Sequence, residues 1–248
     1  MKVYVLGSGS KGNSTLINVN NKNILIDVGF SYKTLCTRLE TINVYPKDID
    51  YIFITHEHTD HIFGLLSFLK KNNPVVYISE KIDTSYLNYQ NIKPYENNFI
   101  IDNINITLLN ISHDSIDPKG FLIEYDNSSV VYITDTGYIH KKILDKIKNK
   151  NYYIIESNHD TEMLLNGRYP VYLQRRILSD EGHLSNELCA GYLVKLIGKD
   201  TKEVFLAHLS HQNNDPEVAL NTVKRILKEN NIEFDNVKCA LQEEVVGV

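Results

Sequence analysis

Tyr51-Ile-Phe-Ile-Thr55-His56-Glu57-His58-Thr59-Asp60-His61 is an apolar run that ends in four potential metal ligands, and its reading decides how the rest of the chain is organised. Tyr51 to Ile54 reads as a short buried strand, and Ile62 to Lys71, with apolar residues at 62, 65, 66 and 69, reads as a helix. The ligands therefore belong to a strand-to-helix turn. His56 and His58 are two apart and can point the same way as the strand ends, while Asp60 and His61 project from the turn beyond. One short stretch can thus serve two neighbouring ions. Imidazoles that merely cap a helix would not require three His and one Asp within six residues.

Toward the amino terminus, Val3 to Leu6 is an apolar strand followed by the glycine-rich turn Gly7-Ser-Gly-Ser-Lys-Gly-Asn-Ser14, which lacks the ending of a P-loop. Thr15 to Val19 and Ile24 to Val28 flank Asn20-Asn21-Lys22-Asn23, a hairpin turn by composition, so a meander of three strands opens the chain. Asp27 ends the third strand. It reads equally as a turn residue or as a partner of the metal-site histidines. Ser31 to Leu39, with Ser31 as N-cap, forms a helix that leads to the Tyr51 strand.

Toward the carboxyl terminus a strand is predicted at Val75 to Ile78 and a helix near Lys81 to Tyr89. Two hairpins follow, Phe99–Ile101 with Ile104–Leu109 and Phe121–Tyr125 with Val130–Ile133. Ile139 to Ile147 is a helix, Tyr152 to Ile155 a strand, Leu188 to Ile197 a helix capped near Ser185, and Val204 to Ala207 a strand. A long helix through Val218 to Leu227 and a last strand at Val237 to Leu241 close the pattern. Three more ligand candidates each follow an apolar strand: His113 in Asn110-Ile-Ser-His-Asp114, Asp135 in Thr134-Asp-Thr-Gly137, and His208 in Ala207-His-Leu-Ser210. His208 is preferred over His211 because it sits at the strand end. Strand ends on one sheet edge converge, and a binuclear site needs nitrogen donors on both ions with a carboxylate able to bridge them.

Bulk composition narrows the class. With 248 residues, 42% of them hydrophobic and 23% charged, the chain reads as one globular domain over residues 1–248. No apolar stretch approaches the ~18 residues of a membrane span, so no membrane partner is expected. Met1 to Leu6 carries one charge and an apolar run too short for a signal peptide, which points to the cytoplasm. Cys36, Cys189 and Cys239 are widely spaced and suggest neither a disulfide framework nor a thiolate zinc site. A net charge of -5 argues against a generally basic nucleic-acid coat but leaves room for a local basic patch.

The arrangement of His56, His58, Asp60, His61, His113, Asp135 and His208 resembles the metallo-β-lactamase superfamily, whose H-x-H-x-D-H stretch is followed by a distant His, Asp and His. The resemblance covers nearly the whole chain. It implies an α/β fold, a four-layer αββα sandwich of two mixed sheets with helices outside. It also implies two divalent metal ions, Zn2+ or Mn2+: one held by His56, His58 and His113, the other by Asp60, His61 and His208, with Asp135 bridging. Leu6-Gly-Ser-Gly-Ser-Lys-Gly-Asn-Ser14, Glu156-Ser-Asn-His-Asp160, Gly182-His-Leu-Ser-Asn186 and Ala207-His-Leu-Ser210 together look like the YycJ/WalJ-like branch, implicated as DNA exonucleases. By the same resemblance His183 takes the place of a catalytic proton donor and Glu156 that of the residue orienting it, with Asp60 joining them in catalysis.

The implied activity is that of a binuclear phosphodiesterase, a 5′ to 3′ DNA exonuclease releasing 5′-mononucleotides. Nucleic acid is then the partner, DNA ahead of RNA. Met163 to Leu178 is the one place where arginines and tyrosines interleave, and Arg168, Tyr172, Arg175 and Arg176 read either as phosphate and base contacts or as a solvated helix. Lys11, Asn13 and Ser14 are further candidates for phosphate contact. The superfamily's long β-CASP insertion is absent, which leaves substrate gripping to short loops or to a partner subunit, so homo-oligomerisation stays open. Two other readings stand: hydrolysis of a small cyclic phosphodiester or thioester on the same site, and a regulatory binding module with a structural metal site.

Overall fold

The computed structural model describes residues 1–248. Its strands form two seven-stranded sheets. The first takes β1 (Lys2–Gly7), β2 (Ser14–Val19), β3 (Lys22–Ile26), β4 (Tyr51–Phe53), β5 (Val75–Ser79), β6 (Ile92–Tyr95) and β14 (Val246–Gly247), in the order β14-β1-β2-β3-β4-β5-β6. The second takes β7 (Phe99–Ile101), β8 (Ile104–Asn110), β9 (Lys119–Tyr125), β10 (Ser128–Ile133), β11 (Tyr152–Glu156), β12 (Glu203–Ala207) and β13 (Val237–Cys239), in the order β13-β12-β11-β10-β9-β8-β7. Each sheet is antiparallel over one half and parallel over the other. The expected mixed-sheet sandwich is what the chain forms.

Period-two alternation sorts the side chains into three cores. Phe53, Val130 and Tyr132 lie between the sheets. Ile52 and Ile54 face the outer side of the first sheet, where α1 (Tyr32–Glu40) and α3 (Leu65–Leu69) pack. Val131 and Ile133 face α4 (Lys141–Ile147), α7 (Asn186–Leu196) and α8 (Pro216–Glu229) on the outer side of the second. Phe53 anchors the middle layer, 5.4 Å from the rings of both Tyr77 and Phe121. Such aromatic pairs add about 0.5–1.5 kcal/mol each beyond their buried area. No helix is long and apolar enough to cross a membrane, and the three cysteines are free thiols.

Three expectations need correcting. The helix expected near Lys81 to Tyr89 is only a 3-10 turn at Ser85–Leu87, ended by Asn88 in the left-handed region, and the chain then enters β6. Pro94 fits β6 because that strand lies at the sheet edge, where a missing N–H is tolerated. The helix expected over Ile62 to Lys71 divides into α2 (Thr59–Ile62) and α3, with Gly64 between them pressed onto the Phe30 backbone. The last predicted strand stops at Cys239, and the chain goes on to β14, which pairs with β1. That two-residue strand is too short to carry a sequence pattern.

The strand directions position the site. β3 and β4 are parallel, β10, β11 and β12 are parallel, and β8 runs with them because two antiparallel steps separate it from β10. Asp27, the His56 stretch, His113, Asp135, Glu156 and His208 therefore all emerge at or just beyond carboxyl ends of strands on one edge of the sandwich.

Candidate metal centre

Asp27, Asp135 and His208 each adopt a positive φ, 60°, 56° and 55°, within two residues of the ends of their strands. Left-handed backbone at a non-glycine residue is held only where the surroundings enforce it, and here it turns each chain sharply at the site. Gly29 serves the same end by close approach. A Cβ there would run into the Asp60 carbonyl oxygen, so only glycine lets the first sheet press against the ligand turn.

Hydrogen bonds fix which ring nitrogen of each histidine is free. His61 Nδ1 donates to Asp27 Oδ2 at 2.7 Å, and His208 Nδ1 donates to Glu156 Oε1 at 2.9 Å. His113 Nδ1 donates to the Glu181 carbonyl at 3.2 Å. Thr55 Oγ1 gives its proton to Asp27 Oδ2 at 2.9 Å and so accepts from His56 Nδ1, also at 2.9 Å. In all four the Nε2 lone pair is left facing the others, the arrangement by which an outer carboxylate or carbonyl sets a ligating tautomer. His58 joins them, its ring 4.7 Å from that of His56 and 5.0 Å from that of His113.

The donors fall into overlapping sets whose atoms lie within 4.8 Å of one another: His56, His58 and His113; His56, His61 and Asp135; Asp60, His61 and His208; and Asp135, Glu156, His183 and His208. His56 Nε2, His208 Nε2 and Asp135 Oδ2 are buried without a hydrogen-bond partner, although Asp135 Oδ2 lies 3.2 Å from His61 Nε2. Buried acceptors left unpaired are costly, and divalent ions are what a cluster of imidazole lone pairs and carboxylates fits. Burial lowers His56 and His113 below the ordinary histidine range, leaving neutral rings ready to bind a cation. Burial would lower His61 as well, but Asp27 and Asp135 raise it well above that range. Burial likewise disfavours charge on His208, and Asp135 with Asp60 and Glu156 reverses the direction. Ions entering there displace protons.

Glu156 lies beneath this cluster, fully buried. Its Oε1 also accepts from His183 Nδ1 at 2.8 Å, and its Oε2 accepts from the amides of Thr136 at 2.9 Å and Leu184 at 3.1 Å. Burial would raise this carboxyl, yet His183 and His208 hold it at about 2, so it stays charged. His183 is half-buried and, with Nδ1 fixed, presents Nε2 to a cleft of about 220 Å³. His58, Asp60, His113, Asp135 and His208 share the cleft wall.

Of the expected substrate contacts, only Arg176 lines this cleft, where it is paired with Asp114. Arg168, Tyr172 and Arg175 are exposed elsewhere, because the cleft face of the segment carries Tyr169, Leu173, Arg176 and Ile177. α5 (Thr161–Asn166) and α6 (Val171–Ile177), separated around Pro170, set that phase. Lys11 is exposed and off the wall, and Ser10 takes the place beside the cleft. Asn13 and Ser14 are fully buried, so the phosphate contact expected of them is corrected to an internal one. Asn13 Nδ2 donates to Asp60 Oδ2 at 3.2 Å and its Oδ1 accepts from Ser8 Oγ at 2.9 Å, while Ser8 Oγ accepts from the His208 amide at 2.8 Å. Ser14 Oγ donates to the Asp27 carbonyl at 2.8 Å. The glycine-rich loop thus clamps the two halves of the site together.

Sequence reasoning missed Ser8, Thr55, Asp114, Asn158 and Tyr169. Asn158 donates to the His208 carbonyl at 2.8 Å. Their position beside motif residues was the available signal. Glu57, between the ligand candidates, accepts from the Ile116 amide at 3.0 Å and so holds the loop that follows His113. Asp27→Asn removes the charge behind His61 and is expected to weaken ion binding about 10–100-fold, measured by competition with a chelating dye. Unaltered affinity would show that the Asp27–His61 contact only supports the fold.

Residues 7–208 match the metallo-beta-lactamase superfamily. Exodeoxyribonuclease WalJ of Streptococcus pneumoniae serotype 2 (strain D39 / NCTC 7466) is 38% identical over 228 residues, covering 88% of this chain and 85% of that protein. Exodeoxyribonuclease YycJ of Bacillus anthracis is 36% identical over 233 residues, covering 91% and 88%. The metallo-beta-lactamase fold protein YhfI from Bacillus subtilis has the same fold, with a TM-score of 0.76 at 18% identity over 100% of this chain and 99% of that one. A match that runs from the glycine-rich loop to His208 gives the chain its place: it belongs to the metallo-β-lactamase superfamily.

Proposed function

We propose that residues 1–248 act as one domain, a binuclear metal-dependent exodeoxyribonuclease that removes 5′-mononucleotides from the 5′ end of DNA in the cytoplasm. The observation that carries this reading is the pair formed by Glu156 and His183, which sets a free imidazole nitrogen against a cleft walled by metal donors. The two relatives named as exodeoxyribonucleases support DNA as the substrate.

In this reading His56, His58 and His113 would hold one ion and Asp60, His61 and His208 the other, with Asp135 within reach of both donor groups. Zn2+ or Mn2+ at those positions would supply Lewis acidity toward the phosphodiester and its attacking water. The chain does the rest. His183 Nε2 delivers a proton to the leaving 3′ oxygen, and Glu156 keeps the ring in the tautomer and orientation that this transfer needs. Arg176, the only Lys or Arg in the cleft wall, binds a phosphate oxygen when it leaves Asp114, and Tyr169 offers a face to the neighbouring base.

Incubation of the metal-loaded protein with single- and double-stranded DNA, with and without a 5′ phosphate and labelled at the 3′ end, tests the assignment. Release of unlabelled 5′-mononucleotides before the label is the expected result. Hydrolysis of cyclic nucleotides or thioesters with intact DNA would move the function to the small-substrate reading. Tight binding of a protein with no hydrolysis of any kind would move it to a regulatory module.

A further inference from the structure

A second concavity of about 430 Å³ lies between the end of β8 and α4, and its charge is opposite to that of the metal cleft. Lys142, Lys146 and His140 line it, over a floor that includes Leu109, Ile111 and Ile143, and no carboxylate contributes to its wall. The metal cleft, by contrast, has Asp60, Asp114, Asp135 and Glu181 against a single arginine. In a chain of net charge -5 this groove is a local exception.

Lys142 and Lys146 are four apart on α4 and therefore share a face. Both are exposed, and neither takes part in an ion pair; Asp145, the acid between them, is paired with Lys148 instead. Like charges at this spacing repel one another in a helix. That repulsion is left uncompensated within the chain, so the pair suits an anion from outside. His140 Nδ1 accepts from the Lys142 amide at 3.2 Å, which leaves its Nε2–H as a further donor. Tyr138, 39% exposed, adds an aromatic face.

The groove adjoins the proposed reaction site. Ser112 in its wall precedes His113, and Tyr138 lies three residues beyond Asp135, at most about 10 Å of chain. The Gly137 amide donates to the Ser112 carbonyl at 3.0 Å and the Ser112 amide to Thr136 Oγ1 at 3.2 Å, so the two segments carrying His113 and Asp135 are tied where the groove begins.

We infer that this groove is a binding track for the single-stranded, still uncut part of the DNA strand whose end occupies the metal cleft. Lys142 and Lys146 take successive phosphates and Tyr138 stacks a base. Two cations and an aromatic face over an apolar floor are the combination by which single strands are held without reading sequence. The inference rests on the exonuclease reading for the identity of the strand.

The test compares Lys142→Glu/Lys146→Glu and Lys142→Arg/Lys146→Arg with the parent protein on two substrates. One is a 5′-phosphorylated oligothymidylate of about twelve nucleotides, within the reach of such tracks; the other is bis(p-nitrophenyl) phosphate, which is too short to enter the groove. For the glutamate pair, kcat/KM on the oligonucleotide is expected to fall about tenfold more than on the small ester, two phosphate contacts being lost. Its dependence on log salt should become shallower by about 1.4, at about 0.7 per phosphate, and the arginine pair should restore both. Equal losses on both substrates, or an unchanged salt slope, would overturn the inference. If the parent protein hydrolyses the ester and no DNA, the exonuclease reading fails. Fluorescence anisotropy with a labelled oligothymidylate then decides the groove alone: weaker binding by the glutamate pair supports it and equal binding refutes it.

Discussion

His183→Ala is expected to lower kcat on DNA by about 10²- to 10⁴-fold, the usual contribution of a positioned general acid, while metal content stays at the parent value. The separation follows from the geometry. His183 Nδ1 is engaged by Glu156 at 2.8 Å, and its ring lies 5.3 Å from those of both His113 and His208, beside the main donor sets rather than between them. His113 and His208 keep their own anchors, the Glu181 carbonyl and Glu156, when the ring is removed. Loss should therefore appear in kcat, and most strongly for substrates with poor leaving groups. A nitrophenolate leaving group needs no proton, so bis(p-nitrophenyl) phosphate should be far less affected. Parent-level turnover of DNA, or a variant stripped of metal, would remove His183 from the role of proton donor.

Glu156→Gln is expected to be more damaging than its near-identical shape suggests. Four donors converge on this buried carboxylate: His183, His208 and the amides of Thr136 and Leu184. Glutamine offers one oxygen and turns an NH2 toward two of those donors. Each buried donor left without an acceptor costs about 1–3 kcal/mol, so thermal unfolding should move to lower temperature by an amount reflecting about 2–6 kcal/mol. Either histidine can escape by shifting its proton to Nε2. For His183 that leaves a neutral ring without the carboxylate that supports its protonated, proton-donating form, and for His208 it blocks the nitrogen that faces the metal donors. Ion affinity is expected to fall about 10–100-fold together with kcat. Calorimetry, a metal titration and kinetics on one preparation read all three quantities. Unchanged ion affinity alongside lost turnover would confine Glu156 to His183.

How far this was legible in the sequence depended on whether local pattern or long-range packing decides a residue's surroundings. The His56 to His61 stretch, His113, Asp135 and His208 each follow an apolar strand, and strands that run parallel carry their ends to one edge, so the strand pattern is enough to bring these seven candidates near one another. Asp27 was ambiguous because a turn Asp and a histidine partner look alike until the fold sets it 2.7 Å from His61. The Arg/Tyr segment was misjudged in detail. The composition of Met163 to Leu178 pointed to the cleft, but which arginine faces it depends on the helix phase set after Pro170, and the periodicity selects Arg176 over its neighbours. Asn13 and Ser14 were misread because small polar residues in a glycine-rich loop look ligand-facing, whereas this loop folds inward onto Asp60 and Asp27. The basic groove joins β8 to α4, elements separated by a whole hairpin, and no local signal foretells it.

The claim on which the rest depends is that these donors hold two ions that DNA hydrolysis requires. Stripping the protein with a chelator and adding Zn2+ or Mn2+ stepwise, with bound metal and exonuclease rate followed in the same samples, tests it most directly. The account predicts no DNA turnover in the stripped protein and a rate that returns as binding reaches two ions per chain. Full turnover in the stripped protein, or a rate already complete at one ion per chain, would contradict it.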